Sequence, residues 1–170
     1  MTHPTSLRSP DKTLAQGTLG TLLRHLTELL ESAVEQSYTR SGLDYRPRFT
    51  PIVRALLDLG PTSLRAISVH AGITHSAVSQ TVAEMVKRGW LTSAPGKDAR
   101  ESVVSLTEKA EAAVPILKCH WAATNAASES LDQELSSPLF AVLREAIQHL
   151  EERPFGDRIA EAVQTLEEKG

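Results

Sequence analysis

Residues Thr62–Val104 read TSLRAISVHAGITHSAVSQTVAEMVKRGWLTSAPGKDARESVV, and this stretch decides the fold. A threonine-serine pair at its start offers a hydroxyl cap for a short helix over residues 64–70. Gly72 can then adopt the left-handed conformation that ends a helix, and Thr74 offers the cap of a second helix over residues 75–88. Two helices joined by such a short turn predict a helix-turn-helix.

The second of these helices has two chemically different sides. Val78, Val82 and Met85 follow helical spacing and predict a stripe that packs on the first helix. The opposite side carries short or neutral hydrogen-bonding groups, which can reach base edges in a major groove. These residues are His75, Ser76, Ser79, Gln80 and Ala83. A solvated helix face is usually richer in Glu and Lys, so the composition favours a surface that reads nucleic acid.

A small wing is predicted after Gly89. Residues 90–92 and 102–106 favour two short strands, and residues 94–98 form a turn-rich tip between them. Two short strands are not stable alone in water, so they must pack on the helices. The predicted fold class is therefore mainly α with a small two-stranded β-wing, that is, a winged helix-turn-helix.

Four short motifs resemble those of the MarR family of winged-helix transcription regulators. They are Thr74–Gln80, Gly89–Leu91, the wing motif Asp98-Ala99-Arg100, and the helix start Leu106-Thr107-Glu108-Lys109. The wing motif ahead of that helix start is the most distinctive, and the resemblance covers residues 50–109. Ser68 departs from the alanine usual in the family, and we expect its hydroxyl to bond to the backbone carbonyl one turn back.

Positive charge gathers on the predicted reading module although the net charge is −3. From Thr62 to Arg100 five basic residues outnumber Glu84 and Asp98, whereas acidic residues outnumber basic ones about two to one from Glu108 onward. This asymmetry favours nucleic-acid binding. With so few phosphate-binding groups one copy should bind weakly, and a dimer would double the contacts.

The chain divides into four predicted segments. Residues 1–12 form a flexible arm, 13–49 an N-terminal helix and connector, 50–106 the DNA-binding domain, and 107–170 the C-terminal helices. The apolar stripe of the first helix either packs within one subunit or crosses a dimer interface, as the resemblance implies. The terminal segments carry more apolar surface than one small winged helix can cover, which predicts N- and C-terminal dimerisation helices and a homodimer.

Helix boundaries in these flanks follow from caps and prolines. Thr50 should cap a helix that opens with Pro51. A long helix over residues 108–130 contains Pro115, which should bend or divide it. Two further helices are expected over residues 139–151 and 157–169. The connector before Thr50 contains Tyr45, Arg46 and Arg48; we expect a solvated loop with the tyrosine tucked in, and the alternative is contact with phosphate or a pocket.

Arg100 is the strongest single candidate for a functional residue. A guanidinium at a wing tip can enter a minor groove, where A·T-rich tracts concentrate negative potential. The resemblance implies this role for Arg100 and an orienting role for Asp98, and the alternative is a surface ion pair of little energetic value.

The remaining DNA-binding candidates divide by the part of the duplex they would contact. Ser76, Ser79 and Gln80 are candidates for base contacts, since glutamine can pair bidentately with adenine. Thr74, the cap of this helix, is also a DNA-binding candidate, and its neighbour His75 could reach phosphate or base or be simply an exposed histidine. Lys87, Arg88 and Lys97 would position the duplex through its phosphates.

No motif for catalysis, a cofactor or a metal is recognised. Cys119 and His120 are adjacent, and neighbouring helical positions point about 100° apart, so they do not converge on one ion; a redox role for Cys119 stays open. No apolar run approaches the roughly 18 to 20 residues that span a bilayer, and the N-terminus lacks the order of a signal peptide. The chain is expected to be a soluble, cytoplasmic non-enzyme.

Together these features predict a homodimeric DNA-binding transcription regulator that recognises a pseudo-palindromic double-stranded DNA operator. The resemblance implies a ligand-responsive repressor, with a small aromatic effector bound near Tyr45 and Trp121. Two alternatives stay open. One is a winged-helix protein-interaction module without sequence-specific DNA binding. The other is the regulatory half of an acetyltransferase, but the residues after Thr107 are too few to form a catalytic domain.

Overall fold

The computed structural model describes residues 17–96 and 102–169. Within them the elements run α1 (Leu19–Arg40), a 3-10 turn (Pro47–Phe49), α2 (Thr50–Leu59), β1 (Thr62–Ser63), α3 (Leu64–Ala71), α4 (His75–Lys87), β2 (Leu91–Pro95), β3 (Ser102–Leu106), α5 (Glu108–Glu134), α6 (Leu139–Glu152) and α7 (Phe155–Glu167). The chain forms two compact units, Met1–His120 and Trp121–Gly170, here called the first and second units.

The helix-turn-helix forms where local sequence signals place it. Ser63 caps α3 by accepting a hydrogen bond from the Ala66 N–H at 3.3 Å. Gly72 ends α3 with φ 65°, in the left-handed conformation that costs glycine no steric strain. Thr74 then caps α4. The predicted mainly α winged-helix fold is therefore confirmed. The ends of α3 and α4 were predictable because each depends on residues only a few positions apart.

The wing sheet has three strands, not the two that were predicted. β3 lies in the centre and pairs antiparallel with β2 from Leu91↔Leu106 to Pro95↔Ser102. Its other edge pairs with β1, where Thr62 lies opposite Val104. The extended backbone that lets Ser63 cap α3 is also suited to strand pairing, so Ser63 serves both β1 and α3.

Ser68 closes the turn between α3 and α4. The expectation that its hydroxyl bonds to the backbone carbonyl one turn back is wrong. Its hydroxyl donates to the Ile73 carbonyl oxygen at 2.6 Å, while the Ile73 N–H donates to the Ser68 carbonyl at 3.3 Å. The bond runs forward because Gly72 turns the chain back over the end of α3. Serine at this position thus fastens the turn.

An aromatic cluster forms the centre of the first unit. Tyr45 lies edge to face with Tyr38, Phe49 and Trp90, with ring centroids 4.9, 5.5 and 5.1 Å apart. The Trp90 indole N–H donates to the Asp44 carbonyl at 2.9 Å. Tyr45 and Phe49 are the buried residues of the connector before α2, while Asp44 and Arg48 stay exposed, so the expectation of a solvated segment with the tyrosine tucked in is correct.

Three predicted boundaries differ from the structure. Thr50 does not cap α2, because the 3-10 turn runs directly into the helix and Phe49 is its cap residue. Pro115 does not divide α5, which continues through it to Glu134, and a bend at Pro115 stays a prediction. The last helix starts at Phe155, two residues earlier than predicted, directly after Pro154 at its cap position.

Apolar side chains of the second unit face solvent in the single chain. No described residue of α6 or α7 is buried. The large apolar residues exposed on these two helices are Phe140, Val142, Leu143, Ile147, Leu150, Phe155, Ile159, Val163 and Leu166. On α1 of the first unit, Leu19, Leu22, Leu23, Leu29 and Leu30 are exposed as well. Patches of this kind on a monomer usually mark an interaction surface.

A candidate nucleic-acid interface

Helix α4 presents the predicted reading face. The buried side of α4 consists of Val78, Val82 and Met85, which are at most 5% exposed and pack against the rest of the first unit, as their spacing predicted. Ser76, Gln80 and further exposed residues project from the other side. That exposed set is Thr74, His75, Ser76, Ala77, Ser79, Gln80, Ala83, Val86 and Lys87. The structure therefore brings six predicted DNA-binding residues, from Thr74 to Lys87, onto one accessible helix.

The end of α4 is fastened by the start of α5. The Thr107 hydroxyl donates to the Gly89 carbonyl at 2.8 Å and accepts from the Ala110 N–H at 3.2 Å. Lys109 donates to the Arg88 carbonyl at 3.0 Å, and its ammonium lies 4.8 Å from the centroid of the Trp90 ring. A cation at a helix C-terminus is favourable. These hydrogen bonds give the Leu-Thr-Glu-Lys motif a structural role, which is to hold the end of α4 against the start of α5.

Glu84 on α4 is surrounded by three arginines, and we call Glu84, Arg46, Arg48 and Arg88 the Glu84 cluster. Glu84 accepts from Arg88 Nε at 3.0 Å, pairs with Arg46 Nε at 3.5 Å and pairs with Arg48 Nη2. Arg88 also donates to Asp44 at 2.5 Å. Sequence reasoning did not connect the arginines of the connector with α4, because no periodic signal links positions so far apart.

Arg88 differs from Lys87 in its availability. Its side chain is 24% exposed and holds two carboxylates, those of Asp44 and Glu84. A phosphate contact by Arg88 stays a prediction, and it would require the guanidinium to leave at least one of these partners. Lys87 lies on the exposed side of α4, where a phosphate contact needs no such exchange.

The wing tip predicted over residues 94–98 begins later in the structure, because Ala94 and Pro95 belong to β2. Lys97, Asp98 and Arg100 lie outside the described residues, so their predicted contacts stay predictions. The strands that carry the tip are described as far as the pair Pro95↔Ser102.

The two predicted ligand-binding residues are both buried. Tyr45 is 2% exposed and Trp121 is 8% exposed. Burial raises the pKa of the Tyr45 phenol, and the hydrogen bond with Thr50 partly offsets this. The phenol is therefore neutral at ordinary pH, and it donates to Thr50 Oγ1 at 3.3 Å. Three aromatic neighbours enclose Tyr45, so an effector reaching it would have to displace one of them.

His120 joins two helices of the first unit. Its Nδ1 lies 2.7 Å from Ser37 Oγ, and its Nε2 lies 2.9 Å from Ser41 Oγ. Cys119 is exposed. Among residues 17–96 and 102–169, no group of His, Cys, Asp and Glu side chains is arranged to hold a metal ion. None of the described helices combines the length and apolar character needed to cross a membrane.

Comparison with known proteins finds a family model that matches the winged-helix part of the chain. Residues 50–101 match the model of the MarR family. No curated protein matches the chain. The fold resembles that of the Streptomyces coelicolor PcaV transcriptional regulator in complex with its natural ligand, with 19% identity, a TM-score of 0.60, and coverage of 86% of this chain and 99% of that one.

Two further solved structures show the same fold. MOSR, an M. tuberculosis transcriptional regulator in complex with DNA, shares 19% identity with a TM-score of 0.60, covering 86% of this chain and 98% of that one. Bordetella bronchiseptica BpsR, whose DNA binding is regulated by 6-hydroxynicotinic acid, shares 18% identity with a TM-score of 0.59, covering 79% and 93%. The family-model match over residues 50–101 confirms the resemblance to the MarR family read from the sequence motifs, and the solved structures show the shared fold.

Proposed function

We propose that this chain, with its MarR-type winged helix, is a homodimeric transcription regulator that binds a pseudo-palindromic DNA operator. The observation that carries the proposal is the exposed face of α4, where short and neutral side chains stand opposite the buried Val78, Val82 and Met85. Such a helix fits a major groove, and each wing would reach the adjacent minor groove. Two copies would place their recognition helices about one helical turn of DNA apart.

The exposed apolar faces of α1, α6 and α7 support the homodimer. A stable chain rarely leaves so many large apolar side chains in water. A two-fold interface would cover the same patch on both copies, and the doubled phosphate contacts would compensate for the few basic residues of each subunit.

The proposal extends to regulation. We assign the chain a cytoplasmic, ligand-responsive repressor role, with no enzymatic activity and with a small aromatic effector that favours a dimer of unsuitable helix spacing. Relatives with bound ligand support this role, because PcaV was solved with its natural ligand and BpsR responds to 6-hydroxynicotinic acid. Tyr45 and Trp121 remain the proposed effector contacts.

The decisive experiment titrates the purified protein against duplexes from the DNA upstream of its own coding region, in a salt series. Sedimentation counts the subunits in parallel. A dimer that binds one footprint tightly, with affinity falling steeply as salt rises, is the expected result. Indifference to every duplex, combined with binding to a protein partner, would favour the protein-interaction module instead.

Replacing Arg100 with alanine should weaken operator binding several-fold or more while leaving the dimer intact. The lost guanidinium would remove a contact in the negative potential of a narrow minor groove. Fluorescence anisotropy measures the affinity, and Lys118→Ala serves as the control, since it removes one positive charge from an exposed position on α5. Equal affinities for Arg100→Ala and wild type would refute the wing assignment.

Replacing Gln80 with alanine should change base preference and leave the salt dependence unaltered. A good bidentate contact discriminates against the wrong base by about 1–3 kcal/mol, and glutamine carries no charge. Binding to a panel of singly substituted duplexes measures the preference. Gln36→Ala, on the exposed surface of α1, is the matched control. A flatter salt dependence with unchanged base preference would mean that Gln80 does not read a base.

A further inference from the structure

The Glu84 cluster places two arginines of the connector beside the recognition helix. Arg46 directly precedes the 3-10 turn between α1 and α2, and Arg48 lies within that turn, yet both side chains end on Glu84 of α4. Arg46 is additionally 4.0 Å from Glu35. The arginine positions are therefore determined by α4 and not by the connector alone.

The cluster lies on a particular flank of α4. Successive residues of an α-helix point about 100° apart, so Ser76, Gln80, Ala83 and Lys87 form one exposed stripe with Glu84 along its edge. Arginines that reach Glu84 consequently stand beside this stripe. When a recognition helix occupies a major groove, the groups on its flanks face the sugar-phosphate backbones that border the groove.

The two connector arginines retain the capacity to bind a further anion. Their side chains are 38% and 51% exposed for Arg46 and Arg48, against 24% for Arg88. Arg46 uses its Nε and Arg48 its Nη2 in these ion pairs. A guanidinium has five N–H donors in a planar fork, and this geometry suits phosphate oxygens.

We propose that Arg46 and Arg48 are a phosphate-binding pair for duplex DNA, which Glu84 holds at the flank of α4. The proposal rests on the DNA-binding function proposed above. Arg88 has a different role in the cluster, because its bonds to Asp44 and Glu84 connect the connector to the end of α4. The pair contributes affinity and orientation, and it carries no base preference.

The test compares the wild type with Arg46→Ala and Arg48→Ala in binding to a random-sequence 30-base-pair duplex and to the selected operator. Each substitution should weaken binding to both duplexes by a similar factor, on the order of five- to tenfold per bound subunit at about 0.1 M salt. The slope of log affinity against log salt should become shallower by about 0.9 per bound subunit. Lys118→Ala is the control for loss of a charge without loss of a contact.

Glu84→Gln separates phosphate binding from a merely structural role. This variant breaks the ion pairs but keeps both arginines, so the salt slope for the random duplex should stay undiminished even where the released arginines bind less tightly. If Glu84→Gln flattens the salt slope as Arg48→Ala does, or if the arginine variants change the ratio of operator to random affinity without changing the slope, the pair only positions α4 and the inference is wrong. Wild-type protein that binds no duplex would overturn the proposed function as well, so the two failures are distinguishable.

Discussion

Replacing Trp90 with alanine is expected to lower the free energy of unfolding by about 3–5 kcal/mol. Trp90 is 1% exposed and contacts Tyr45 on one side and the Lys109 ammonium on another. Its indole N–H bonds to the Asp44 carbonyl. The variant would leave a cavity where the connector, the end of α4 and the start of α5 meet.

Urea denaturation at one fixed protein concentration measures this loss, because the stability of a dimer depends on concentration. Trp90→Phe is the matched control: it keeps a large ring and loses the N–H bond, so it should cost clearly less than alanine. Since a whole domain is stable by only about 5–15 kcal/mol, the alanine variant could be largely unfolded at moderate temperature. A loss below about 1 kcal/mol would show that Trp90 does not hold these elements together.

Placing glutamate at Ile147 and Ile159 together should convert the proposed homodimer into monomers. These side chains are 55% and 52% exposed in the single chain. Covering an aliphatic side chain contributes about 1.5–3 kcal/mol, and enclosing an unpaired carboxylate costs more than that gain. Dimer affinity should therefore fall by at least about 100-fold, and operator binding should fall with it.

Sedimentation velocity at micromolar concentration measures the dimer, and circular dichroism shows whether the helices persist. Gln148→Glu adds the same charge to α6 beside Ile147, at a polar and exposed position, and should leave the dimer intact. A double variant that sediments as the wild-type dimer would place the interface elsewhere and leave the exposed faces of α6 and α7 without a covering partner.

Short-range signals predicted the winged helix well. The glycine that ends α3, the threonine that caps α4 and the stripe Val78, Val82 and Met85 all act over at most two helical turns. Caps and helical spacing are local properties of the chain, so they can be read without knowing what the helix packs against. The family motifs added the wing and the start of α5.

The candidate site was predicted only where it is a single helix. Its exposed face from Thr74 to Lys87 follows from spacing, whereas the environment of Arg88 and the position of Arg46 and Arg48 do not. The ion pair between Arg48 and Glu84 joins residues 36 positions apart in the chain. Long polar side chains have no periodic pattern that identifies a distant partner.

The sequence by itself determined the order of the helices and of the two long wing strands, the caps of α3 and α4, and which side of α4 is buried, because each is settled by interactions between residues close in the chain. Only the tertiary structure decided that β1 joins the wing, that Tyr45 lies between Tyr38, Phe49 and Trp90, and that Arg46 and Arg48 meet Glu84. These contacts form when packing brings distant segments together, and their free energy depends on distances and burial that the order of residues does not contain.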